Sequence, residues 1–175
     1  MMQMLEAGGL QTVTDRIRKA DEDNPKGHYE QEKVKQMKND TAWLDDCHGR
    51  VIKMISALLH QLPPDRFYKV LFMKRDLTEV LASQKVMLQR LGKEGTKLSD
   101  TAMIEKFENH LTQVTRWLSG RSNFDVLYIN FRDVIRQPAK AASEITWFLG
   151  KPMNARAMGQ IVEQKLYRQK SGAGG

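Results

Sequence analysis

Cross-linking chemistry is almost absent from this chain, because Cys47 is the only cysteine in 175 residues. No intramolecular disulfide can form and a thiolate-rich metal centre is excluded, so a reducing, cytoplasmic setting is expected. Also lacking is any apolar run near the roughly 18 residues of a membrane span. Residues 1–9 do not show the basic-then-apolar order of a secretory leader. There is no internal repeat and no long linker. An excess of acidic charge is missing too: 28 Lys and Arg face 21 Asp and Glu, for a formal net charge of +7. That balance favours an anionic partner such as a nucleotide, a phosphate or sulfate ester, or nucleic acid. The cations are spread along the chain rather than blocked, which argues against a nucleic-acid-binding arm.

What is present suits one α/β domain over residues 1–170 with a Gly-rich flexible tail at 171–175. The hydrophobic fraction is 41%, enough for a core at this length. Met1, Met4 and Leu5 share a helical face that stops at Gly8-Gly9, with no N-cap before it. Residues 15–26 are polar and turn-rich, and residues 30–38 suit a polar helix. Residues 50–55 and 68–73 are β-branched and apolar, as buried strands are, with a short helical turn at 58–62 before Pro63-Pro64. Asp76 or Thr78 opens a helix carrying Leu77, Val80, Leu81, Leu88 and Leu91 on one face. Ser99 or Asp100 opens a second, with Met103, Phe107, Leu111, Val114 and Leu118. A third strand covers 125–130. Pro138 starts a helix ending at Gly150, and a last helix spans 155–166. Strands separated by helices predict parallel pairing.

Ligands of open parallel sheets bind at the carboxyl ends of strands. Arg75 follows the strand at 68–73, and a helix N-terminus with free N–H groups lies just beyond it. Its planar guanidinium suits phosphate, and Ser83, two turns on, can donate a hydroxyl to the same anion. The alternative is that Arg75 pairs with a local carboxylate and Ser83 merely packs on the sheet.

An Arg at a strand end, eight residues before a helical Ser, resembles the 3′-phosphate grip of the bacterial sulfotransferase family. Other segments are similar to that family in order and spacing. They are Asn24-Pro25-Lys26-Gly27 with Tyr29-Glu30, Arg50 to Lys53 with Leu62-Pro63, Val126 to Val134 with Phe148-Leu149-Gly150, and Leu166-Tyr167-Arg168. The resemblance implies a three-layer, parallel-sheet α/β domain of the P-loop-NTPase-like kind. It implies sulfuryl transfer from 3′-phosphoadenosine-5′-phosphosulfate to a small-molecule hydroxyl or amine, releasing adenosine 3′,5′-bisphosphate, with no metal. Arg75, Ser83 and Arg168 would bind the nucleotide. Lys53 would neutralise charge on the leaving oxygen, and Glu30 would be the base.

The resemblance also exposes departures. Family members open with a strand and a Ser-Gly-Thr-type loop whose N–H groups and side chains cradle the 5′-phosphosulfate. Met1-Met2-Gln3-Met4-Leu5 resembles the helix that follows that loop, so the chain is expected to be N-terminally truncated, missing its first strand and phosphate loop, with impaired activity. Gly92 to Lys97 follows a helix and reads as a surface loop. Ile55 stands where animal members place a histidine two residues after the lysine. His60 reads as solvent-facing, and Lys165 and Lys170 with Arg168 as a solvated helix face. Asp45-Asp46-Cys47-His48 are too close in sequence to converge on one ion. Trp43, Trp117 and Trp147 suit a core or an acceptor groove. Two other readings stand beside the enzyme: a fragment whose true start lies upstream, and a non-catalytic nucleotide-binding or scaffold protein, as a homodimer covering its sheet edges. A nucleic-acid binder is a subset of the last.

Overall fold

The computed structural model describes residues 1–15, 17, 27–93 and 98–163. Helix α1 (Met2–Ala7) leads into strand β1 (Thr12–Val13), which pairs in parallel with β2 (Val51–Ile52). Strand β3 (Tyr68–Lys74) pairs in parallel with β4 (Phe124–Asn130), from Tyr68 opposite Phe124 to Lys74 opposite Asn130. Helices α2 (Leu77–Arg90) and α3 (Asp100–Ser119) connect those two strands. After β4 come α4 (Phe131–Arg136), α5 (Pro138–Leu149) and α6 (Ala155–Gln160).

The alternation of side chains along a strand builds three layers. Leu71 and Met73 of β3, with Leu127 and Ile129 of β4, pack against Met4 and Leu5 of α1, Ala142 and Ile145 of α5, and Met158 of α6. Tyr68, Val70, Phe72, Phe124 and Val126 face the other way, against Leu111, Val114 and Leu118 of α3 and against Leu59. The middles of both strands, Val70 to Met73 and Val126 to Ile129, therefore read as apolar runs, because packing covers both faces there. A third cluster joins Val13 and Ile52 to Trp43, Leu44, Val34 and Met37.

Caps set the helix starts. The Asp76 carboxylate accepts from the N–H groups of Thr78 and Glu79, Ser99 Oγ from Ala102, Asn130 Oδ1 from Arg132, and Asn154 Oδ1 from Ala157. Pro138 occupies the first turn of α5, and Gly150 closes it in the left-handed conformation at φ 65°. As expected, α1 has no side-chain cap.

Several elements are shorter than the sequence predicts. The strand expected at 50–55 forms ladder bonds only at Val51–Ile52, because β1 offers two residues to pair with; Ile55 is exposed. The helix expected at 30–38 is a 3-10 segment at Glu32–Gln36, and the turn at 58–62 is another at Ser56–Gln61. A third 3-10 segment, Ala42–Cys47, was not foreseen. All three start on i to i+3 bonds, Val34 to Gln31, Leu44 to Thr41 and Leu58 to Ile55, the usual form of short connecting turns. The last helix ends at Gln160 rather than 166, and residues 164–175, with Arg168 and the tail, lie outside the described residues.

Gly8, just past α1, is closely packed against Met153 and Met158. A Cβ there would sit 2.6 Å from Met153 Cε and 2.8 Å from Met158 Sδ, and Met158 is fully buried. Gly8→Val is expected to lower the unfolding free energy by about 1–3 kcal/mol through overpacking, read from urea denaturation midpoints.

Candidate functional site

β3 and β4 end in register, Lys74 opposite Asn130. The residues that follow each strand, Arg75-Asp76 and Phe131-Arg132, therefore emerge side by side at the carboxyl edge. Glu79, in the first turn of α2, is only 2% exposed and lies at the centre of the group. Arg132 donates to Glu79 Oε1 from Nη2 at 2.8 Å and from Nε at 3.2 Å. The same Nη2 reaches Asp76 Oδ2 at 3.2 Å. Arg75 Nε lies 4.0 Å from Glu79 Oε2, and its guanidinium carbon sits 4.9 Å from the Phe131 ring centroid. The Phe131 ring face orients Arg75, while the contact with Glu79 is a long ion pair without a hydrogen bond. Lys74 lies over the Tyr128 ring at 4.6 Å. With Lys74, three cations meet two carboxylates at one strand edge, beside the positive end of α2.

Ser83 stands four residues beyond Glu79, so it shares Glu79's helical face about 6 Å further along the axis. Ser83 is half-buried in α2, whereas Arg75 precedes the helix and its N-cap Asp76. The local carboxylate pairing weighed for Arg75 is present, but at the outer limit of an ion pair. Arg132 was not singled out from sequence; its place just past a strand end, matching Arg75, was the available signal.

Lys53 and Glu30 gather at the other strand pair. Lys53 Nζ donates to the carbonyl of His28 at 2.7 Å, two residues before Glu30. The Glu30 carbonyl accepts from Thr14 Oγ1 at 3.0 Å and Asp15 N–H at 3.1 Å. Between them Tyr29 adopts φ 52°, a conformation costly for an aromatic residue. Its hydroxyl donates to Glu6 Oε2 at 2.7 Å, which holds the segment in place. Asp15 also accepts from the N–H groups of Ile17 and Glu32 at 2.9 and 2.6 Å, and these bonds hold its carboxyl below the ordinary range. Arg75 and Arg132 thus stand at the end of one strand pair, with Ser83 further along α2, while Lys53 and the backbone of Glu30 stand at the end of the other.

Other candidates take structural roles. Asp45 pairs with Arg66 at 2.7 Å, and Cys47 donates to the carbonyl of Trp43 at 3.4 Å, with burial pushing its thiol pKa up. Trp43 is core, Trp147 is exposed, and His60 faces solvent as expected. Among the described residues no group of three or more His, Cys, Asp or Glu side chains is placed to hold a metal. No helix among them is long and apolar enough to cross a membrane.

Parallel strands covered on both faces, with cations at their carboxyl ends, define an α/β protein whose charged strand edge is its candidate site. The sulfotransferase domain model matches residues 15–173, and the chain belongs to that family. No curated protein and no solved structure gives a significant match. Sulfuryl transfer is the chemistry of the family.

Proposed function

We propose that Arg75 and Ser83 bind the 3′-phosphate of 3′-phosphoadenosine-5′-phosphosulfate, the donor in transfer to a small-molecule hydroxyl or amine. The observation that supports this is Arg75 immediately past the carboxyl end of β3, its guanidinium over the Phe131 ring, with Ser83 half-buried on the helix that follows. A phosphate there would meet the Arg75 guanidinium held over Phe131, with Ser83 as the proposed hydroxyl donor; the N–H groups of Thr78 and Glu79 at the start of α2 are already taken by Asp76. In the reaction, the acceptor oxygen or nitrogen attacks sulfur and the bond from sulfur to the phosphate oxygen breaks. Adenosine 3′,5′-bisphosphate departs and the acceptor proton goes to a base. Lys53 is the proposed group neutralising charge on the leaving oxygen and Glu30 the proposed base; both stand near the exit of β2. Arg168 is a further proposed contact to the nucleotide.

The sequence carries no Ser-Gly-Thr loop to cradle the 5′-phosphosulfate. Charge-assisted hydrogen bonds contribute about 1.5–3 kcal/mol each, so three fewer cost several powers of ten. For this 175-residue chain alone, weak nucleotide binding and a turnover below detection are expected. A steady-state assay with radiolabelled donor, run beside a titration with adenosine 3′,5′-bisphosphate, reads both. A measurable rate contradicts the impairment, and absence of nucleotide binding contradicts the assignment as a whole.

A further inference from the structure

Ser56 and His110 are 54 positions apart in sequence, yet Ser56 Oγ lies 2.9 Å from His110 Nε2. Ser56 opens the 3-10 segment Ser56–Gln61, and His110 stands midway along α3. Both side chains are half-buried. Both line a cavity of about 320 Å³ between the two elements, which none of the chemistry above uses. A hydroxyl within about 2.6–3.2 Å of an imidazole nitrogen is the arrangement that activates a serine nucleophile. With the ring proton on Nδ1, the Ser56 hydroxyl donates to Nε2, and that nitrogen is placed to take the proton as Oγ attacks. Gln113 stands three residues beyond His110 on the same helical face and lines the same cavity. A side-chain amide is one of the donors that stabilise an oxyanion. Leu59, Val114 and Trp117 supply apolar wall. The volume is at the lower end of small-molecule sites, so the electrophile that fits is small, uncharged and largely apolar.

We propose a second activity for this chain: Ser56 is a nucleophile with His110 as its base, and the pair hydrolyses small apolar carboxylic esters. Ser56 Oγ attacks the carbonyl carbon while its proton passes to His110 Nε2, and Gln113 donates to the carbonyl oxygen as charge builds there. The bond from that carbon to the alcohol oxygen breaks, and the alcohol leaves with the proton held by His110. Water then attacks the acyl-serine with His110 again as base, and the acid is released. One ester and one water thus give one acid and one alcohol, with Ser56 regenerated. No step uses the nucleotide, so this activity stands apart from the reading under Proposed function.

The probe is p-nitrophenyl acetate, mixed with the full chain and quenched in acid at intervals, with the acetyl groups located by peptide mass spectrometry. Ser56 is expected to be acetylated faster than any other serine or threonine, with p-nitrophenolate released in step. His110→Gln keeps a hydrogen-bonding side chain but removes the base. It is expected to slow acetylation of Ser56 about a hundredfold and to leave acetylation of surface lysines unchanged in the same digests. A Ser56–His110 bond with only a structural role would not confine the change to Ser56. His60→Ala removes the other histidine of the cavity and is expected to leave Ser56 at the parent rate. The parent in urea, unfolded, is expected to lose its preference for Ser56, a comparison that needs no variant to fold. No acetyl group on Ser56, an equal rate in His110→Gln, or a preference for Ser56 that persists in the unfolded chain overturns the proposal.

Discussion

Replacing Arg132 by methionine is expected to lower the unfolding free energy by roughly 2–3 kcal/mol. Glu79 is a carboxylate with 2% exposure, and Arg132 supplies two of its hydrogen bonds, at 2.8 and 3.2 Å. Removing one partner of a fully buried ion pair costs about 3–5 kcal/mol, most of it from the charge left behind. Here the loss is smaller, because the Arg132 side chain is 32% exposed and Arg75 remains 4.0 Å from the same carboxylate. Changing Glu79 to leucine as well is expected to recover most of the loss, since a pair replaced by apolar groups of similar size is close to neutral. Urea denaturation of the two single variants and the double variant measures this directly, and the coupling term isolates the pair. If Arg132→Met alone unfolds at the parent midpoint, the carboxylate is not the organising charge of this edge.

The second large effect concerns the nucleotide. Arg75→Ala is expected to weaken adenosine 3′,5′-bisphosphate by one to two powers of ten, since a guanidinium bonded to phosphate contributes about 1.5–3 kcal/mol. Ser83→Ala is expected to cost less, about 1 kcal/mol, the contribution of one hydroxyl hydrogen bond. The two variants are expected to combine less than additively if both groups hold one phosphate. Glu79 works against affinity here, because its charge opposes the phosphate. The Phe131 ring, in contrast, holds the Arg75 guanidinium, which reduces the ordering cost when the ligand arrives.

The same physics explains which parts of the molecule can be read without coordinates. β3, β4, α2, α3 and α5 are long and patterned, and their caps at Asp76, Ser99 and Pro138 are ordinary signals, so their ends agree with expectation to within a residue or so. β1 escaped notice because Thr12–Val13 is two residues long and leans on β2 for its definition. The 3-10 segments carry helical composition, which in short pieces does not separate i to i+3 from i to i+4 bonding. At the site, the position of Arg75 after a strand was legible because parallel sheets place ligands there. The network behind it was not. Glu79 is a charged residue in the first turn of a helix, where solvent exposure is the usual outcome. Its burial depends on Arg132, which lies 53 residues away in sequence. The cavity beside α3 was equally hidden, since nothing local joins Ser56 to His110.

Whether a phosphate is gripped at the tip of β3 is most directly read by a two-by-two calorimetric comparison. Adenosine 3′,5′-bisphosphate and adenosine 5′-monophosphate, which differ only by the 3′-phosphate, are each titrated into the parent chain and into Arg75→Ala. The parent is expected to prefer the bisphosphate at least tenfold, and Arg75→Ala to erase that preference while leaving the monophosphate affinity almost unchanged. An equal preference in both proteins, or no preference in the parent, would contradict the assignment.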